Sequence, residues 1–215
     1  EEGRHDRNIT YEELKDLKNN ILAMGALAKS AINNSIDALK ELNPAKANKV
    51  IIDDKIIDEQ ELVIDEQCLD LLALRQPMAT DLRFIAMAMK ITTDLERIAD
   101  LAVDIAQRVL ELVGKPLLKP LVDIPKLTIL AQDMTESAIQ SFLNQDADLA
   151  GRVILLDSEA DKLRNLVQEE LINEYIAKQR NAVVRAVPLI LIARHLERIC
   201  DHATNIAEDV IYLVK

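Results

Sequence analysis

Apolar residues recur at helical spacing along most of the chain, with few breakers between them. This periodicity predicts long amphipathic helices from Thr10 to Leu42, Pro44 to Gln76 and Met78 to Val113. Asn43-Pro44 and Gln76-Pro77 punctuate the run, because proline disfavours a helical residue before it and suits a helix's first turn. Connections this tight make neighbouring helices antiparallel. The strongest non-helical signal is Gly114 to Pro125 (GKPLLKPLVDIP), which holds three of the six prolines and one of the four glycines. Beyond it helical spacing returns over Lys126 to Gln145, Asp148 to Lys178 and Asn181 to Val214, with Asp146 or Asp148 placed to cap the fifth helix.

The two sides of that junction resemble each other. Leu95-Glu96-Arg97-Ile98-Ala99-Asp100 returns as Leu196-Glu197-Arg198-Ile199-Cys200-Asp201, an offset of 101, and Asp54-xxx-Asp58 returns as Asp157-xxx-Asp161, an offset of 103. A difference of two residues fits one altered turn. The expected fold is therefore all-α, two tandem, pseudo-symmetric antiparallel three-helix bundles with six helices. The first bundle spans residues 10–113, the second 126–215, and the Pro-rich junction 114–125.

Composition agrees with this and narrows the function. Apolar residues make up 49% of 215, enough for a sizeable core, while four Gly, 2% aromatics and no Trp make a β-sandwich a poor fit. A net charge of -11, from 37 acids against 26 Lys and Arg, argues against a nucleic-acid partner and favours metal cations or basic proteins. Cys68 and Cys200 lack metal-ligand spacing and read as buried thiols of a reduced, cytosolic protein. No apolar run reaches the ~20 residues that span a bilayer, and Glu1-Glu-Gly-Arg-His-Asp has no signal-peptide core.

Residues four apart share a helix face, so each repeated pair sets two carboxylates side by side. The third helix carries Glu96, Asp100 and Asp104 opposite an apolar face formed by Ile91, Leu95, Ile98 and Ala102, and the sixth carries Glu197, Asp201, Asn205 and Glu208 in the same way. These acids are expected to face outward. The second helix adds Asp54, Asp58, Glu61 and Asp65. Asp58 and Glu96 are equidistant from Pro77, as are Asp54 and Asp100, while Asp161/Glu197 and Asp157/Asp201 are equidistant from Gln179. Each half should thus gather four carboxylates across one hairpin, Asp54, Asp58, Glu96 and Asp100 in the first and Asp157, Asp161, Glu197 and Asp201 in the second.

Such a group repels itself unless protonated, paired with arginine or bridged by a cation. All-oxygen ligation suits Mg²⁺, Mn²⁺, Ca²⁺ or ferric iron and not structural zinc. Arg97, Arg198 and Arg164 are alternative neutralisers. His195 and His202 share a position flanking the apolar face, away from Glu197 and Asp201, and read as capped or half-buried imidazoles. No nucleophile elbow, phosphate-binding loop or zincin pair occurs, and Glu2-x-x-His5 is the only match to a di-iron Glu-x-x-His pattern. An organic cofactor has no visible motif.

Gln76-Pro-Met-Ala-Thr-Asp-Leu-Arg-Phe-Ile-Ala followed by Thr93-Asp-Leu-Glu-Arg-Ile-Ala-Asp100 resembles the signature of the PhoU family, and Leu196-Glu-Arg-Ile-Cys-Asp-His-Ala-Thr-Asn-Ile-Ala-Glu208 resembles its second copy. The resemblance covers essentially the whole chain. It implies a non-enzymatic, cytoplasmic negative regulator of phosphate uptake, linking a phosphate ABC transporter, through its ATPase PstB, to the sensor histidine kinase PhoR. Surface metal clusters on the family's E(D)-xxx-D motifs would fall on Glu96/Asp100 and Glu197/Asp201, with Asp54/Asp58 and Asp157/Asp161 beside them. Position 101 is Leu where the second motif has His202, so no shared role for that histidine carries over. A metal-handling protein that buffers iron or manganese is the competing reading, and a carboxylate-metal hydrolase a weaker third. Ile85, Met89, Val103 and Ile190 are expected to face outward near the acidic stripe, as apolar surface for a homodimer.

Overall fold

A computed structural model describes residues 9–75 and 77–215. The expectations for Glu2, His5 and Gln76 lie outside the described residues. The chain forms six long helices, α1 (Tyr11–Glu41), α2 (Pro44–Leu74), α3 (Ala79–Leu112), α4 (Asp123–Asn144), α5 (Ala147–Glu170) and α6 (Val183–Val214), and the described residues include no strand.

Local chemistry sets the boundaries. Thr10 and Glu13 start α1 with a reciprocal capping box, the Glu13 amide donating to Thr10 Oγ1 (3.2 Å) and the Thr10 amide to Glu13 Oε2 (2.8 Å). Asn43 caps α2 by accepting from the amides of Ala45 and Lys46, ahead of Pro44 in the first turn. Asp146 caps α5 by accepting from the Leu149 amide at 2.9 Å. Gly114, at φ 79, takes the left-handed conformation that ends α3.

Two boundaries differ from the periodicity, and one helix holds an interior proline. The fourth helix begins at Asp123, so Pro125 lies in its first turn, where the missing amide hydrogen has no helical acceptor to lose. The fifth loosens beyond Glu170 into a π-helical segment, Leu171–Ile176, before a short 3₁₀ turn at Arg180–Ala182. The sixth keeps Pro188 in its interior, with the ring buried in the core.

The repeat is exact enough to be read from the core. At an offset of 103, buried Ile21, Ala28 and Ile36 of α1 return as Ile124, Ala131 and Ile139 of α4, and Ala47, Val50 and Ile64 of α2 return as Ala150, Val153 and Val167 of α5. At 101, buried Ile91, Leu95, Ile98 and Ala102 of α3 return as Ile192, Leu196, Ile199 and Ala203 of α6. Even the left-handed residue ending the first helix of each half repeats, at Leu42 (φ 47) and Gln145 (φ 53).

Each half is a three-helix bundle, and the halves join through α3 on α6 and α1 on α4; among the described residues α2 and α5 touch only their own half. Arg83 donates to the Tyr212 carbonyl (3.0 Å), Lys90 pairs with Asp209 (2.6 Å) and Asp94 with His202 (2.8 Å), a ladder that fixes α3 and α6 antiparallel. Carried along the helices, this register sets Ile98 opposite its own repeat counterpart Ile199, both fully buried, so the pseudo-twofold axis runs through the core. Phe84 of α3 stacks on Phe142 of α4 with ring centroids 4.6 Å apart. This seam corrects one expectation. Ile85 is fully buried, and Met89 and Ile190 are partly buried against the core, because α3 and α6 bury flanks that a separate bundle would leave open.

The junction is held to the second half. Arg185 donates to the Pro116 carbonyl (3.2 Å), Lys119 pairs with Glu170, and Leu117, Leu118 and Leu121 pack on the core.

Candidate functional site: two unequal acidic faces

The α2/α3 and α5/α6 hairpins each bring their acids into one groove. Burial of the neighbouring core positions turns these helices so that the carboxylates line the inter-helix edge, half-buried rather than fully outward; of the eight, only Asp58 and Asp201 are exposed. In the second half the expected levels are met, since Asp161 lies against Glu197 and Asp157 against Asp201. In the first, Asp54 lies near Asp58 and Asp100, but the acid of α2 closest in effect to Glu96 is Glu61, which the equidistance argument left out. Glu61 sits one further turn along the α2 stripe, a position that the helical period alone makes available.

Electrostatics registers the crowding. Burial, then the charges of Asp100 and Glu61, push the Glu96 carboxyl up from the ordinary 4.5 to about 7, with Arg97 opposing. Burial, then Asp58 and Asp100, raise Asp54 to about 6. Glu61 is raised by burial and by Asp65 and Asp58. In the second half Glu197 and Asp201 are also raised, first by burial and then by neighbouring acids.

The two faces are nevertheless different in composition. At the offset of 103, Glu61 is replaced by Arg164, whose Nη2 lies 3.9 Å from Glu197 Oε1, and Asp65 is replaced by Gln168. At 101, Val103 is replaced by Thr204, whose hydroxyl donates to Asp157 Oδ1 (3.2 Å). The second face therefore carries an internal cation and a hydrogen-bond donor where the first has a carboxylate and a methyl pair. Arg97 answers in the first half only from the outer side, 3.6 Å from Glu96 and 3.5 Å from Asp100. Among the described residues no three Asp, Glu, His or Cys side chains converge in an arrangement able to hold one metal ion.

Both histidines stand apart from these faces on the α3/α6 seam. His202 is half-buried and paired with Asp94, while His195 has a buried Nδ1 without a hydrogen-bond partner and a pKa lowered first by burial, with Asp104 opposing. Both cysteines are buried, and burial raises the Cys68 thiol to about 12 and Cys200 also upward. Among the described residues no helix is long and apolar enough to cross a membrane.

A doubled three-helix unit with an acidic pair at the same level of each half is matched by a family model described as the PhoU domain, over residues 21–109 and again over 124–210. The chain belongs to the PhoU family. A crystal structure of PhoU from Pseudomonas aeruginosa superposes with a TM-score of 0.88 at 38% identity, covering 94% of this chain and 97% of that one. One of a phosphate transport system regulatory protein PhoU from Streptococcus pneumoniae gives 0.85 at 28% identity, covering 94% of each. The phosphate-specific transport system accessory protein PhoU homolog 2 of Thermotoga maritima is 34% identical over 207 residues, covering 96% of this chain and 88% of that protein. These PhoU relatives span both halves, so the seam through Ile98 and Ile199 lies within the matched fold.

Proposed function

We propose that this PhoU-family chain is a cytoplasmic accessory regulator of phosphate uptake, an adaptor through which the phosphate transporter ATPase PstB and the sensor kinase PhoR communicate, with repression of phosphate-starvation signalling as its output. The observation that carries the reading is the match of both repeats to a family whose relatives are described as phosphate transport accessory and regulatory proteins. A rigid body of helices up to 34 residues long, about 50 Å at 1.5 Å per residue, supplies docking surface of the size that specific partners need. The reading is non-catalytic, in keeping with those relatives' descriptions. The test is capture of purified PstB and of the PhoR cytoplasmic region by the purified chain, with and without phosphate. Capture of neither would sink the adaptor.

The acidic faces enter this proposal as hard-cation sites. Asp54, Asp58, Glu96 and Asp100, with Glu61, supply all-oxygen donors along one groove; a bound cation would have to draw them together from the arrangement seen here, and it would relieve the raised carboxyls of Asp54, Glu61 and Glu96. An open face leaves coordination positions to water, as Mg²⁺ and Mn²⁺ prefer, and ferric iron or Ca²⁺ share the donor type. Asp157, Asp161, Glu197 and Asp201 carry the same chemistry, tempered by Arg164. A bound ion would supply positive charge at an otherwise acidic docking surface. If partner capture fails while purified protein retains stoichiometric iron or manganese lost in Glu96→Ala and Glu197→Ala, metal buffering becomes the better reading. A homodimer is part of the proposal, and sedimentation tests it.

A further inference from the structure

The outer side of α2 carries a second feature, pointing away from the acidic face. On a helix of about 100° per residue, Ile52, Ile56, Val63, Asp70 and Leu74 fall within about 40° of one another, flanked by Glu59 and Glu66. Ile52 is 62% exposed and Leu74 73% exposed, with Ile56 and Val63 also open to solvent. The stripe runs beside α1, and the furrow between the two helices opens into a cavity of about 410 Å³ at its lower end, where Asp16 joins Glu66 and Asp70 around Val63, Leu71 and Leu74, with the Glu13–Arg75 ion pair also on its wall. A smaller cavity of about 90 Å³ lies at the upper end beside Ile56.

The second half keeps this stripe only in part. At the offset of 103 exposed Leu155 and Leu166 stand for Ile52 and Val63 and Glu169 for Glu66, whereas Glu159 replaces Ile56, Lys162 replaces Glu59, Asn173 replaces Asp70 and Ala177 replaces Leu74, so the Ile56 and Leu74 anchors and Asp70 distinguish the first half. At the position of Asp16 the second half has Lys119, which pairs with Glu170, so an acid of the first half's cavity is replaced there by a cation. The Arg75 guanidinium on that cavity's wall pairs with Glu13 (2.7 Å), and the lining carries four carboxylates, Glu13, Asp16, Glu66 and Asp70, to that one cation.

We propose that the α1/α2 groove of the first half is a docking site for a cationic amphipathic helix of a partner protein. Apolar anchors at helical spacing would lie on Ile56, Val63 and Leu74, and Lys or Arg on its flank would face Asp16, Glu66 and Asp70. The distance from Ile52 to Leu74, about 33 Å at 1.5 Å per residue, accommodates some six turns of such a helix. Charge complementarity selects the occupant, since Asp16, Glu66 and Asp70 rim the cavity where the second half has Lys119, Glu169 and Asn173. The inference concerns the groove and stands apart from the identity of the adaptor's partners.

The probe is a fluorescein-labelled Leu/Lys helical peptide of about 20 residues, titrated by anisotropy against the full chain. The expected result is saturable binding that weakens about tenfold or more in Asp16→Lys/Glu66→Lys/Asp70→Lys, less than about twofold in the charge-matched Asp133→Lys/Glu159→Lys/Glu208→Lys, and severalfold in Val63→Ser/Leu74→Ser. Circular dichroism checks each fold, with Asp16→Asn/Glu66→Gln/Asp70→Asn read in place of a lysine set that loses helix. Equal losses in the two lysine sets, equal binding of a Leu/Glu peptide or no binding at all would overturn the proposal. So would a self-association of the chain that the groove substitutions abolish, which would make a second copy the occupant. Intact peptide binding with failed PstB and PhoR capture would sink the adaptor reading and leave the groove.

Discussion

Replacing Glu61 by arginine should give the first acidic face the charge pattern of the second. In the native protein Glu96 titrates near 7 and Asp54 near 6, both above their unfolded values, so the folded state binds more protons through the window from about 4 to 7. Their contribution therefore stabilises the fold as pH falls through that window and is lost as pH rises through the folded pKa values. The Glu96 shift, from 4.5 to about 7, would correspond to about 3 kcal/mol at 1.36 kcal/mol per unit, and solvent screening of a half-exposed cluster reduces this to about 1 kcal/mol. Glu61→Arg removes one source of the repulsion and adds an attraction. It should raise Tm by about 2–4 °C at pH 7.5, for about 1 kcal/mol in a chain of this size, and by much less at pH 5, where Glu96 is already protonated. Thermal unfolding of both proteins from pH 5 to 8 in a metal-free buffer measures this. His195 acts with the opposite sign, because burial lowers its pKa, but it is common to both proteins and cancels in the difference. A Tm difference that stays constant across the series, or grows toward pH 5, would refute the account of the first face as self-repelling.

The same variant bears on the cation proposal: Mn²⁺ added at pH 7.5 should raise the Tm of the native protein more than that of Glu61→Arg, and equal rises would place the ion elsewhere. Phe142→Ala removes a fully buried ring stacked on Phe84 across the seam and should cost about 3–5 kcal/mol in a urea titration. Asn43→Ala and Asp146→Ala each remove an N-cap at equivalent turns and should each cost about 1 kcal/mol. Cys68, with its thiol raised to about 12 by burial, should stay unreactive toward a disulfide reagent at pH 8 until the protein is unfolded.

Much of the architecture was legible because the chain repeats its own solution. Pro44 and Pro77 mark two turns, the buried positions keep strict helical period, and the offsets of 101 and 103 assign every helix a counterpart. The levels of Asp161 with Glu197 and Asp54 with Asp100 followed from distance to the turn alone. Contacts between the halves were not legible, since period shows that a flank is apolar but not which helix covers it. Hence Ile85 reads as surface and is core. Glu61 lies in the same stripe, but equidistance from a turn fixes levels to only about one helical turn and so does not single it out. The contrast between Arg164 and Glu61, and the Thr204 hydroxyl on Asp157, become meaningful only once side chains are placed.

The pseudo-twofold axis through Ile98 and Ile199 has a consequence for assembly. Because the surfaces that meet there are near copies, a polypeptide ending at the junction would carry one half of an isologous interface, with Leu95, Ile98 and Ala102 left without their partners. Two such fragments could satisfy each other by rotation about that axis, rebuilding as a symmetric pair what the intact chain builds by covalent tandem. The junction then fixes stoichiometry, and by joining two sequences it frees each face to diverge, which identical subunits cannot do.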